Sequence, residues 1–161
     1  METQPTTRRR WFQFRLASVL IAVGITAFGT HWFVCHRRAA TARAHARSVI
    51  DQYESALVLE SDVVLALYQL LDAELAVPSS DRRAAHEAHM RRLGELRLRA
   101  ENMFPGSGVT RPIVVFTSHY ELAKQRLAHA AGEAYADSVD REFDFPYRDQ
   151  FNGHPAAERG M

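Results

Sequence analysis

The chain has 161 residues, 24% of them charged, a formal net charge of +1 and one cysteine. That leaves room for one membrane segment and one modest domain. The balanced charge hides an asymmetry: residues 1–47 carry eight arginines against one acid, while residues 48–161 carry twelve basic and eighteen acidic side chains. A net-acidic domain argues against nucleic acid as a partner, because phosphate binding needs a basic patch. A lone Cys35 excludes an internal disulfide.

Residues 1–15 form a basic N-terminal tail containing Arg8, Arg9, Arg10 and Arg15. Residues 16–35 contain no Asp, Glu, Lys or Arg. Twenty helical residues rise ~30 Å, the thickness of a bilayer's hydrocarbon core. Arginines bracket the stretch, Arg37 and Arg38 on the far side. Trp11, Phe12 and Phe14 at one end and Trp32 and Phe33 at the other match the aromatic belts of a membrane-spanning helix. These bracketing residues are the expected contacts with lipid headgroups. Gly24 and Gly29 permit close helix approach but make no GxxxG spacing. A cleavable signal would place a small-residue site directly after the apolar run. Here His36-Arg37-Arg38 precedes Ala40-Thr41-Ala42, so an uncleaved anchor is expected. The flanking arginine counts tie. The compact N-terminal cluster ahead of a first span favours an inside N-terminus. The chain is thus expected in a bacterial inner membrane, crossing once, with its C-terminal part periplasmic.

Residues 36–142 read as a helical repeat domain, without strand-like alternation. Ala39, Ala42, Ala46, Val49, Tyr53 and Ala56 recur every three or four residues, a narrow seam continuing the membrane helix outward and suited to self-association. Ser61 is the expected N-cap of a second helix, with Val63, Val64, Leu67, Leu70, Leu71 and Leu75 on its apolar face and Pro78 ending it. Ser79-Ser80-Asp81 opens a third helix, with Leu93, Leu96, Ala100 and Met103 along its seam. Residues 105–108, Pro-Gly-Ser-Gly, are the clearest break in the chain. Thr110 caps a fourth helix that tolerates Pro112 in its first turn. The seam of that helix runs Ile113, Phe116, Tyr120, Ala123, Leu127, Ala130 and Ala134. Residues 143–161 turn polar and acidic and are expected to be a disordered tail. The predicted fold is all-α: one transmembrane helix, then an antiparallel helical-hairpin or coiled-coil bundle, then the tail.

Two stretches match at an offset of about 51 residues. Tyr53 through Leu65 can be laid on Phe104 through Phe116, and Tyr68-Gln-Leu-Leu-Asp-Ala-Glu-Leu-Ala on Tyr120-Glu-Leu-Ala-Lys-Gln-Arg-Leu-Ala with a one-residue slip. Such a duplication predicts two helical hairpins side by side. Arg8-Arg-Arg-Trp-Phe-Gln-Phe14 followed by a span resembles the start of uncharacterised single-pass membrane proteins of planctomycete-type bacteria, which implies a bacterial membrane protein and no particular activity. The repeat unit resembles the helical repeats of TolC-like outer-membrane efflux proteins. The chain lacks that family's alternating barrel strands, and Leu57 stands where its first break has Gly. The resemblance therefore implies helical-repeat architecture and no channel.

For chemistry, His86-Glu87-Ala88-His89 places two histidines at i and i+3, a spacing that can chelate zinc or copper, with His119 or His129 as a third ligand. The competing reading makes His86 and His89 seam residues, flanked by Arg82, Arg83, Arg91 and Arg92, whose charges oppose a metal. Gly106-Ser107-Gly108 lacks the strand–turn–helix setting of a nucleophile elbow. The acids Asp137, Asp140, Glu142, Asp144 and Asp149 lack the spacing of an EF-hand. No catalytic residue, cofactor or small-molecule substrate is indicated. The expected role is that of a membrane-anchored helical scaffold, or an accessory protein meeting a second copy or partner helices. A small metal-handling or sensor module using His86 and His89 is the alternative.

Overall fold

An unbroken helix, α1 (Thr6–Glu54), runs for 49 residues, ~74 Å of rise. In the computed structural model, residues 6–103 and 110–143 are described, with side chains from residue 15 onward. Within α1 the apolar stretch stands bare: Leu16, Val19, Leu20, Ile21, Val23, Ile25, Phe28 and Phe33 are all exposed. It is the one helix among the described residues long and apolar enough to cross a membrane. Its hydroxyls are satisfied internally, Thr26 donating to the Ala22 carbonyl and Thr30 to that of Thr26, both at 2.8 Å, as a low-dielectric setting demands. Arg8, Arg9, Arg10, Trp11 and Phe12 belong to this helix, so much of the basic tail is helical. Their side chains lie outside the described residues.

From Cys35 onward the same helix becomes a wall of the domain. α2 (Glu60–Leu75) folds back along it, and α3 (Arg82–Met103) and α4 (Arg111–Ala131) form a second hairpin packed on the first. The hairpin pair expected from the 51-residue offset is therefore present as two antiparallel helix pairs. The Ala-rich seam of α1 is filled from within the chain. Cys35 and Ala39 pack with Ala73 and Val77, while Ala46 and Val49 join the main core with Val63, Leu67 and Leu70. Small side chains bring the two helices close, and the seam is thereby unavailable to a second copy. Cys35 is likewise covered, and its Sγ lies 3.7 Å from His31 Nε2. The end of the seam departs from expectation, because Ala56 lies in the α1–α2 turn at φ +56° and is exposed.

The main core is formed by Leu67, Met90, Leu93, Ile113, Phe116, Tyr120 and Leu127, all fully buried. Tyr53 meets Phe116 edge-on at 5.6 Å. Met103, expected on the α3 seam, is exposed.

Helix boundaries correct the sequence reading in three places. α2 starts at Glu60 behind Leu59, not behind Ser61: the Asp62 carboxylate reaches back to accept from the Leu59 amide at 3.2 Å. α4 ends at Gly132, whose φ of +94° and ψ of 150° belong to glycine alone. A short α5 (Glu133–Asp140) follows, burying Ala136 and Val139 and leaving Ala130 and Ala134 exposed. Phe143, assigned by sequence to the disordered tail, is buried. Its ring lies 5.9 Å from that of Tyr120 and fills the space a Cβ would need at Gly94. Two boundaries do follow expectation. Asp81 Oδ1 accepts from the Arg83 amide at 2.9 Å, and Thr110 holds the N-cap position of α4 with Pro112 in its first turn, although its hydroxyl makes no hydrogen bond to the helix. The break at 105–108 and the tail at 144–161, Asp144 and Asp149 included, lie outside the described residues.

Candidate functional site

Because Val77 packs on Cys35 and Ala39, the α2–α3 connection lies at the level where the apolar stretch ends. His36 and Arg43 of α1 share a cleft there with Ser79, Ser80 and Asp81. One buried carboxylate holds this end together. Glu74 of α2 accepts from Arg43 Nε of α1 at 3.0 Å and from both terminal nitrogens of Arg92 of α3 at 3.2 Å. Burial opposes its charge, but the hydrogen bonds from Arg92 and Arg43 prevail and hold its pKa below the ordinary carboxylate value. Three helices thus meet on one side chain.

The expected ligand pair occupies two different surroundings. His89 is 1% exposed, its ring 4.9 Å from that of Tyr68, and neither ring nitrogen has a hydrogen-bond partner. Burial first, then the charges of Arg92 and Arg126, push its pKa down to about 4. It is a neutral core residue at pH 7. His86 is half-buried in a groove with His129, and burial together with Arg126 and Arg82 lowers its pKa. His119 meets neither; its Nδ1 lies 3.3 Å from the Tyr68 hydroxyl. Among the described residues, no three His, Cys, Asp or Glu side chains are close enough together to hold a metal ion. The third ligand expected from His119 or His129 does not join the pair.

The arginines flanking these histidines divide. Arg91 pairs with Glu87 and Glu142, and Arg92 with Glu74. The Arg83 guanidinium lies 3.6 Å from the centre of the Tyr135 ring. Asp137 and Asp140 both take Lys124, at 2.8 and 2.9 Å, so this acidic cluster serves to fasten α5 to α4. Arg97 and Glu101 form a buried pair one turn apart at 3.2 Å.

At the end of the apolar stretch, the Trp32 and His36 rings meet at 4.1 Å, tilted by 52°, and Arg37 and Arg38 are exposed. The sequence did not single out Glu74, Tyr68 or Arg126. Tyr68 and Tyr120 open the matched repeat segments, which was a signal for Tyr68. Arg126 reaches Tyr68 (5.1 Å to the ring centre) and lies near His86, His89 and His119 only once α4 has folded onto α2 and α3. Compared with protein families, curated proteins and solved structures, the chain matches none.

Proposed function

We propose that this chain is a single-pass membrane-anchored scaffold or accessory protein without catalytic activity, which holds a small helical bundle against a membrane surface. The observation that carries the reading is the division of α1. One half is bare and apolar over the length of a bilayer core, and the other half is built into the bundle without a break. A flexible linker would let a domain wander, whereas a continuous helix fixes its height and tilt. The tryptophan and arginines at residues 32, 37 and 38 sit where headgroups would meet them. With the N-terminus inside, the bundle faces the periplasm of a bacterial inner membrane. Since α2 fills the Ala-rich seam, partner helices or a second copy would meet the bundle on its outer faces or meet the membrane segment itself.

Flotation after alkaline extraction of vesicles carrying the full chain tests the anchor. The chain is expected to float with lipid at pH 11, and release into the soluble fraction would refute the reading. Protease added outside inverted vesicles tests orientation: a protected bundle is expected, and a digested one would reverse the assignment.

A further inference from the structure

The start of α3 and the end of α4 enclose a groove of about 540 Å³ lined by Arg82, His86, Leu122, Gln125, Arg126 and His129. No carboxylate lines it. Neither Arg82 nor Arg126 has a carboxylate partner among the described residues, although most arginines of α3 are paired. Two unpaired guanidinium groups, two imidazoles and a carboxamide therefore converge in a domain that is acidic overall. Arg126 is held over the Tyr68 ring, so one of these cations has a fixed position. Burial first, and then the charge of Arg126, joined at His86 by that of Arg82, lowers the pKa of His86 and His119.

Such a lining suits an anion. A bound phosphate would supply the counter-charge, and Arg presents forked donors suited to phosphate oxygens. Position narrows the choice of phosphate. Val77 packs on Cys35, and Arg82 follows four residues after Pro78, so the mouth of the groove lies at the end of the apolar stretch. The groove rises from there by about two helical turns, ~11 Å, so its mouth is within reach of a lipid headgroup.

We infer that this groove binds the phosphate headgroup of an anionic phospholipid and seats the bundle on the membrane surface. The choice of a lipid over a soluble phosphate rests on the proposed anchor; the anion site itself does not. Arg82 and Arg126 grip the phosphate, Gln125 donates to it, and His86 gains a proton-stabilising neighbour.

The test uses the full chain in a neutral detergent with its histidine ring resonances followed by NMR. Dihexanoyl-phosphatidylglycerol, dihexanoyl-phosphatidylcholine and inorganic phosphate are added separately. Phosphatidylglycerol is expected to shift His86 and His129 saturably and to raise the pKa of His86, with phosphatidylcholine leaving both unmoved. Arg126→Gln and Arg82→Gln should each weaken binding about tenfold. Both side chains are exposed, so folding should survive, as the unfolding midpoint will report. Gln125→Glu, which places a carboxylate in the groove, should abolish the response independently. No shift with any probe, or a shift that survives Arg126→Gln in folded protein, overturns the anion site. Inorganic phosphate binding as tightly as phosphatidylglycerol overturns the lipid assignment. Because the assay needs no bilayer, its failure is distinct from failure of the anchor to float.

Discussion

Replacing Glu74 by Gln is expected to loosen the bundle where α1, α2 and α3 meet. The glutamine keeps the shape and one acceptor oxygen but removes the negative charge shared by Arg43 and Arg92. Three charge-assisted hydrogen bonds are affected, at 3.0, 3.2 and 3.2 Å. A hydrogen bond to a charged group contributes about 1.5–3 kcal/mol, and removing one member of a fully buried ion pair costs about 3–5 kcal/mol. Glu74 is buried, but the Arg43 side chain is 55% exposed and that of Arg92 28%, so water screens both cations. The expected loss is then about 2 kcal/mol, or about 10 °C in Tm for a domain of this size. Thermal unfolding of the full chain in detergent, followed by circular dichroism, measures it. The pH dependence supplies an independent check. The folded pKa of Glu74 lies below its unfolded value, so its stabilisation is complete above about pH 4.5. It fades as pH falls from there through the folded pKa. Wild type and Glu74→Gln should therefore differ at pH 7 and draw together as pH falls below about 4.5. A loss under about 0.5 kcal/mol at pH 7, or an undiminished loss at pH 3, would refute the clamp.

Other side chains give separate expectations. His89 titrates near pH 4 when folded and near 6.5 when unfolded, so protons favour the unfolded chain as pH falls from 6.5 toward 4. The expected loss across that window is about 3 kcal/mol, and His89→Leu should remove most of it in denaturant melts at stepped pH. Gly132→Ala forces a side chain into a glycine-only backbone conformation and should destabilise the α4–α5 corner by about 1–3 kcal/mol, read as faster amide exchange across residues 133–140. Gly94→Ala places a methyl within 2.8–3.0 Å of the Phe143 ring. It should expel that ring and change the ring-current shift at Tyr120. Ala56→Gly relieves a left-handed residue in the α1–α2 turn and should raise the unfolding free energy by up to about 1 kcal/mol.

Most elements were legible because their signals are local. The charge-free run at 16–35, the period of Ile113, Phe116, Tyr120, Ala123 and Leu127, and the caps at Asp81 and Thr110 each rest on residues within a few turns of one another. What was not legible depends on distant partners. The Ala-rich seam of α1 has the same spacing whether a second chain or α2 fills it, and only the fold-back of α2 decides. Gly132 lies in an alanine-rich stretch whose helical period runs through the break, so nothing short-range marks the corner. Phe143 looked like part of an acidic tail because its partners, Gly94 and Tyr120, are 49 and 23 positions away. At the candidate site, the sequence picked out His86 and His89 by spacing. It could not foresee that one would enter the core and the other a groove completed by Arg126. Ser61 was misjudged for a smaller reason: Asp62 caps backward onto Leu59, which starts the helix earlier.

Single cysteines introduced along α1 in a Cys35→Ala background, in vesicles carrying the full chain, test the central claim directly with a membrane-impermeant maleimide. Ala17→Cys, Ala22→Cys and Ala27→Cys should resist labelling, being within lipid. Ala40→Cys, Ala44→Cys and Ser48→Cys, on the exposed face above it, should react quickly, while Ala39→Cys and Ala46→Cys should react slowly beneath α2. Rapid labelling throughout residues 17–27 would contradict the membrane anchor. Equal labelling at 39, 40, 44 and 46 would contradict the docking of α2 on the helix that emerges from it.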